Sequence, residues 1–187
     1  MTPWTVTPTG AAAQLASINA AISPITTERL ILRLPRLEDW HELSPIWTSE
    51  RAAFIGGPFT DHDAWLDFNQ LVASWVLRGH GALTITRKTD GEVLGLVLLA
   101  HEFDDPEPEL GWLLTEAAEG HGYATEAAQA LLPLANEIYG GAIVSYIADG
   151  NDSSARVASR LGAAPAERHP DDPDATIYRY PMQRTAS

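Results

Sequence analysis

Residues 109–135 read ELGWLLTEAAEGHGYATEAAQALLPLA, and this stretch decides the fold. It has three parts: a short apolar strand, a glycine-bearing turn (Gly120-His121-Gly122-Tyr123-Ala124-Thr125), and an Ala/Leu-rich helix that follows without a break. A helix that starts directly after a glycine turn leaves its first N–H groups unpaired. Together with the positive end of the helix dipole, those groups suit an anion such as a pyrophosphate. A tight strand-to-helix crossover needs the same glycines with nothing bound, so the turn alone leaves both readings open. Two phosphate loops are excluded. No Lys-Ser/Thr follows the glycines, as a nucleoside-triphosphate loop requires. The third glycine of a dinucleotide fingerprint and its downstream acidic residue are also missing.

The surrounding chain narrows the function classes. Its 187 residues are enough for one domain with a real core. The absence of cysteine excludes a disulfide framework, thiolate metal sites and cysteine nucleophiles, and it fits a cytoplasmic location. No His/Asp/Glu grouping at metal-ligand spacing appears, and no metal is expected. No apolar run is long enough to cross a membrane. A formal net charge of −13 with a single lysine argues against nucleic acid and suits amine-bearing partners. The segment 102–109 (EFDDPEPE) is the densest acidic patch and reads as a solvated loop. Residues 1–24, rich in Thr, Ala and Pro, lack the basic start and apolar centre of a signal peptide. They read as a loosely ordered extension with room for a helix over 11–21, ahead of a single domain at 25–184.

Periodicity supplies the remaining elements. Residues 29–34 alternate as a strand, and 37–47 read as a helix with Trp40 and Trp47 on one side. Thr60 opens a helix to about Arg78, with Trp65, Phe68, Val72, Trp75 and Val76 as its apolar face. Strands at 82–87 and 93–100 flank the hairpin signal Thr89-Asp90-Gly91. The helix from Tyr123 contains Pro133, which is expected to kink it, and ends at Gly140-Gly141. A strand over 142–148, a helix over 151–161 and a strand over 176–182 complete the order β-α-α-β-β-β-α-β-α-β. That order implies a mixed α/β sheet with the glycine turn at one strand end.

With this order in place, the chain resembles the GNAT acetyltransferases, which move an acetyl group from acetyl-coenzyme A to an amine. The family's coenzyme loop, Gln/Arg-x-x-Gly-x-Gly/Ala, is filled by Glu119-Gly120-His121-Gly122-Tyr123-Ala124. A later family motif is matched by Asn151-Asp152-Ser153-Ser154, Val157 and Leu161-Gly162. The segment Thr27-Glu28-Arg29-Leu30-Ile31-Leu32-Arg33 resembles the opening strand of the branch that acetylates protein N-termini, ribosomal proteins among them. The resemblance covers roughly residues 25–184. Two departures stand out: Glu119 opens the loop where a basic or amide residue is usual, and Ala158 takes the place of a tyrosine that protonates the leaving thiolate in many relatives.

The resemblance implies direct transfer from acetyl-coenzyme A to a primary amine through a tetrahedral intermediate. The pyrophosphate would lie over the N–H groups of Gly120, His121, Gly122, Tyr123, Ala124 and Thr125. The strand before the loop is bulged in the family and frees a backbone donor for the thioester, which places that donor within Trp112, Leu113 and Leu114. Asn151 would bond the pantetheine arm, and Ser154 would donate to the departing sulfur. Both are also good helix-capping residues. Glu109 is the candidate base, because a carboxylate acting through water can deprotonate an amine. A plain strand-edge carboxylate is the alternative. His121 reads equally as an exposed turn residue, and the tryptophans as core. The acceptor is either a protein or peptide N-terminus or a small amine, and family members are often monomers or homodimers. A non-catalytic acyl-coenzyme A-binding module, kept open by Glu119 and Ala158, is the competing function; transfer of another acyl group is a third.

Overall fold

The computed structural model describes residues 6–103, 105–141 and 143–181. Asp104, Ala142 and Met182 onward, which fall within the expected acidic loop and two expected strands, lie outside the described residues, as do Met1–Thr5. One eight-stranded sheet runs in the order β1-β2-β3-β4-β5-β6-β8-β7. Its strands are β1 (Ile25–Thr26), β2 (Leu30–Arg33), β3 (Ala82–Arg87), β4 (Val93–Ala100), β5 (Glu109–Leu114), β6 (Val144–Ala148), β7 (Ala164–Arg168) and β8 (Ala175–Arg179). All neighbours are antiparallel except β5 and β6.

Helices cover both faces. On one face lie α2 (Trp40–Leu43), α3 (Pro45–Thr48) and α4 (Asp61–Arg78), around a core that includes Trp40, Trp47, Phe68, Leu71, Leu96 and Leu98. On the other lie α5 (Tyr123–Tyr139) and α6 (Asp152–Arg160), with Leu131 of α5 packed over Leu30, Leu83, Val97 and Leu110. The helix α1 (Ala12–Ala21) buries no residue. Among the described residues, no helix is long and apolar enough to cross a membrane, and no group of His, Asp and Glu is placed to hold a metal ion.

Local chemistry explains the boundaries. Thr60 caps α4 by accepting from the Asp63 N–H, and Gly79, at φ 77°, ends the helix in the left-handed region. The residues α4 buries are Ala64, Phe68 and Leu71; of the expected face Phe68 is buried, Trp65, Val72 and Trp75 are half-buried and pack against the core, and Val76 alone points outward at 82% exposure. The single helix expected over 37–47 is a 3-10 turn followed by α2 and α3, with the Trp40 and Trp47 rings stacked 6.1 Å apart. α5 continues through Pro133. Two strands were not expected: the two-residue β1, and the edge strand β7, which is exposed throughout.

An ion pair ties β2 to the helices above it. Arg33 grips Asp39 through both terminal nitrogens at 2.7 Å, and Thr84 adds a donor at 2.9 Å. Between β3 and β4 the register slips at Ile85/Thr86, beside Gly95 at φ 146°. An added Cβ on Gly95 would meet the Leu113 carbonyl at 2.1 Å, so only glycine lets β4 approach β5 this closely.

Candidate active site

The parallel pairing of β5 with β6 begins and ends at Glu109↔Val144, after which the two strands part. Side chains take over the bonds that a continuing ladder would have made. Ser145 Oγ donates to the Leu110 carbonyl at 2.5 Å, and the Tyr146 N–H donates to the Glu109 carboxylate at 3.3 Å. The result is a V whose arms are β5 and β6 and whose apex is Glu109.

The open edge of β5 can be read from the ladder on its other side. The Thr115 N–H donates to the Leu94 carbonyl, so in the antiparallel ladder with β4 the odd-numbered residues of β5 bond to β4. The N–H and C=O groups of Leu110, Trp112 and Leu114 therefore point toward β6; those of Leu110 are engaged at the apex, and those of Trp112 and Leu114 face the open V. The β4–β5 register is unbroken from Glu109 to Leu114, so the bulge expected in β5 is absent from this pairing. The donors at Trp112 and Leu114 are freed by the departure of β6 instead. Leu113 points its backbone groups at β4 and is not part of this edge. At about 3.3 Å per residue, β5 runs roughly 17 Å from apex to mouth.

The glycine turn closes the mouth. Gly120 and Gly122 both adopt left-handed φ, 77° and 79°, a conformation that other residues adopt only under strain. Glu126 is the first residue of α5 whose N–H finds a carbonyl, that of Gly122 at 3.1 Å. Among the described residues no acceptor meets the amides of Tyr123, Ala124 and Thr125. Thr125 Oγ1 is buried and also lacks a partner. Unpaired amides at a helix start beside an orphaned buried hydroxyl fit a bound phosphate. The His121 side chain is exposed, as the turn reading expects.

Two arginines attach to this turn, and sequence reading assigned a role to neither. Arg29, from the β1–β2 connection, donates from Nε to Glu126 at 2.6 Å and from NH1 to the His121 carbonyl at 3.0 Å; it also lies 4.7 Å from the Tyr123 ring centroid. Burial opposes the charge on Glu126, yet the hydrogen bonds from Thr27 and Arg29 outweigh it and hold the carboxyl below its usual range. The motif Thr27-Glu28-Arg29-Leu30, read only as a strand start, contained this signal. The second is Arg51, in the 3-10 segment Glu50–Ile55; it pairs with Glu119 and donates to the Leu114 carbonyl at 3.3 Å.

At the apex, burial pushes the Glu109 carboxyl up to about 8, with Asp105 and Glu102 adding repulsion and the Tyr146 N–H opposing it. By strand alternation Glu109, Gly111 and Leu113 share the face that carries α2–α4. Burial also raises Glu102, with Asp67 and Asp105 as further causes. Asp67 on α4 is itself raised by burial against a donated bond from Trp47 Nε1 at 2.6 Å. Trp40, Trp47, Trp65 and Phe68 form one packed aromatic cluster beside this acidic group.

On the β6 arm, Asn151 caps α6. Its Oδ1 accepts from the Ser154 N–H at 3.1 Å and from Ser153 Oγ at 2.9 Å. Its amide nitrogen has no hydrogen-bond partner among the described residues. Ser154 is half-buried, one turn before the fully buried Ala158. The nearby tyrosines are engaged elsewhere: Tyr146 donates to the Glu107 carbonyl at 3.0 Å, and Tyr180 bonds Ser145 at 3.0 Å. Burial raises both phenols to about 12. The structure thus brings Glu109, Trp112, Leu114 and the turn onto one arm, with Asn151 and Ser154 on the other.

A mixed sheet that splays between two parallel strands, with a glycine turn and helix start at the mouth, is the architecture of the GNAT acyltransferases. A sequence model described as "Acetyltransferase (GNAT) domain" matches residues 29–164, and the chain belongs to this acetyltransferase family. The structure is similar to an acetyltransferase from Agrobacterium tumefaciens str. C58 (40% identity, 85% of this chain and 94% of that one, TM-score 0.80). It shares its fold with the ribosomal-protein-S5-alanine acetyltransferase of Vibrio fischeri (16% identity, 87% and 98% covered, TM-score 0.65). It also shares it with the microcin C7 self-immunity acetyltransferase MccE, solved with acetyl-CoA and AMP (20% identity, 81% and 92% covered, TM-score 0.58). No curated protein sequence matches the chain.

Proposed function

We propose that the protein is an acetyl-coenzyme A-dependent N-acetyltransferase that moves the acetyl group directly to a primary amine, with residues 25–184 as its single catalytic domain. The observation that carries this reading is the V: a strand edge with unpaired amides runs from an anion-suited turn to the half-buried Glu109 carboxyl at the apex. The turn, with the amides of Tyr123 to Thr125 and the Thr125 hydroxyl, would hold the pyrophosphate. The edge at Trp112 and Leu114 and the Asn151 amide would hold the pantetheine arm. When bound, the coenzyme supplies an activated thioester.

The chain's own residues supply the rest. An amine of pKa about 10 arrives protonated, and Glu109 takes its proton through water. The backbone donors of β5 stabilise charge that develops on the carbonyl oxygen at no cost in side-chain ordering. Ser154 provides the proton for the leaving thiolate. The acidic surround of Glu102, Asp67 and Asp105 supports a cationic acceptor, either a protein or peptide N-terminus or a small amine.

Titration of acetyl-CoA into wild type and Gly122→Glu tests the first half of this reading. Micromolar binding that the variant abolishes is the expected result. Thiol release with a panel of peptides and small amines tests the second half. Binding without turnover on any amine, and with no effect of Ser154→Ala, would leave the non-catalytic binding module as the better account.

A further inference from the structure

The coenzyme loop opens with a carboxylate, Glu119, where an anionic phosphate has to approach, and the charge compensation comes from 68 residues away. Arg51 pairs with Glu119 and donates through the same NH2 to the carbonyl of Leu114, the last residue of the exposed β5 edge. Both partners are accessible, at 30% and 57% side-chain exposure, and an exposed pair of this kind contributes little to folding. Its position is the informative part. The 3-10 segment Glu50–Ile55 spans the mouth of the V: Arg51 touches the β5 side, while the Phe54 ring lies beside Gly150 at the end of the β6 side. The guanidinium thus bonds the residue that precedes Gly120, where the anion-binding turn begins. Its two bonds use NH2 alone, and among the described residues no acceptor takes its Nε or NH1. A guanidinium presents five donors in a fixed fork suited to phosphate oxygens.

We propose that Arg51 is a phosphate-binding residue of the coenzyme site, delivering from the segment above the V the cation that the loop itself lacks, with Glu119 as the carboxylate that holds it in place. This rests on the acetyl-CoA reading above. It also accounts for Glu119: a lone carboxylate would repel the ligand, whereas a carboxylate bearing an arginine presents that arginine's remaining donors. Glu119 is then a positioning residue, and the Glu119–Arg51 couple replaces one basic side chain.

Calorimetric titration of acetyl-CoA into wild type, Arg51→Gln and the double variant Arg51→Gln/Glu119→Arg tests the proposal. Arg51→Gln is expected to weaken binding about tenfold, the scale of one charge-assisted hydrogen bond. Glu119→Arg in that background should restore most of the loss by placing a cation back at the head of the loop. The midpoint of thermal unfolding should shift little in either protein. Unchanged affinity in Arg51→Gln would overturn the proposal while leaving the coenzyme reading intact. Weakened binding that Glu119→Arg does not rescue would also overturn it, because Arg51 would then act by tethering Leu114 and not through its charge. Wild type that fails to bind acetyl-CoA would remove both.

Discussion

Glu109→Gln should make the protein more stable and less active at once. The folded chain holds this carboxyl at about 8 against an ordinary value of 4.5, chiefly through burial at the apex of the V. Between those two values the folded state keeps a proton that the unfolded chain has released. Unfolding then releases a proton, and stability falls as pH rises. The slope is about 1.4 kcal/mol per pH unit, which accumulates to roughly 3 kcal/mol by pH 7 and about 5 kcal/mol by pH 8. The contribution is fully present below pH 4.5 and lost by the time pH passes 8. Glutamine keeps the oxygen that accepts from Tyr146 and has nothing to titrate. Urea unfolding of wild type and variant at several pH values should show curves that meet near pH 4.5 and diverge above it, the variant being the more stable. The same substitution should lower acetyl transfer by about a hundredfold and leave acetyl-CoA binding intact. Wild-type activity should rise with pH through about 8 as the base ionises. Parallel stability curves, or a variant less stable at pH 7, would refute the assignment of a proton-retaining carboxyl at the apex. Unaltered turnover would remove its role as base.

Three other substitutions probe the frame of the site. Asp39→Ala leaves the half-buried Arg33 and the buried Thr84 hydroxyl without their partner, and chemical denaturation should report a loss of about 3 kcal/mol; a loss under 1 kcal/mol would contradict this network. Gly95→Ala drives a methyl into the Leu113 carbonyl and should push β4 from β5, lowering stability and acetyl-CoA affinity together; unchanged affinity would detach the β5 edge from coenzyme binding. Asn151→Ala removes the α6 cap at a cost of about 1 kcal/mol and should also weaken acetyl-CoA binding. A stability loss with unaltered affinity would assign Asn151 to capping alone.

Much of this frame is legible in local sequence. The bounds of β2 follow from alternation, those of β3 and β4 from the Thr89-Asp90-Gly91 turn, β5 from a short apolar run and α4 from the Thr60 cap, all of which act within a few residues. The strand β7 escapes because APAER contains a proline, shows no alternation and buries nothing; backbone pairing to β8 alone makes it a strand. On α4 the periodicity marks Phe68 as inward and Trp65, Val72 and Trp75 as partly so, but not that the small Ala64 faces the core and Val76 faces outward, because side-chain size and branching alone do not fix the helix rotation. In the site, the glycine turn and Glu109 could be picked out from sequence. The splay itself could not, since it depends on Ser145 and Glu109 side chains substituting for ladder bonds. Arg51 and Glu119 are likewise joined only by the fold.

The single bridge between Glu109 and Val144 bears on how the molecule breathes. Every other pair of neighbouring strands shares at least two rungs, so the sheet is two cooperative blocks meeting at one, with α5 beneath both. Amide hydrogen exchange should therefore resolve two foldons, with β6, β7, β8 and α6 opening at lower free energy than β2 to β5. A ligand that lies along the β5 edge and also touches Asn151 bonds to both blocks. Its binding would slow exchange in strands it never contacts, by making the two halves open only as one.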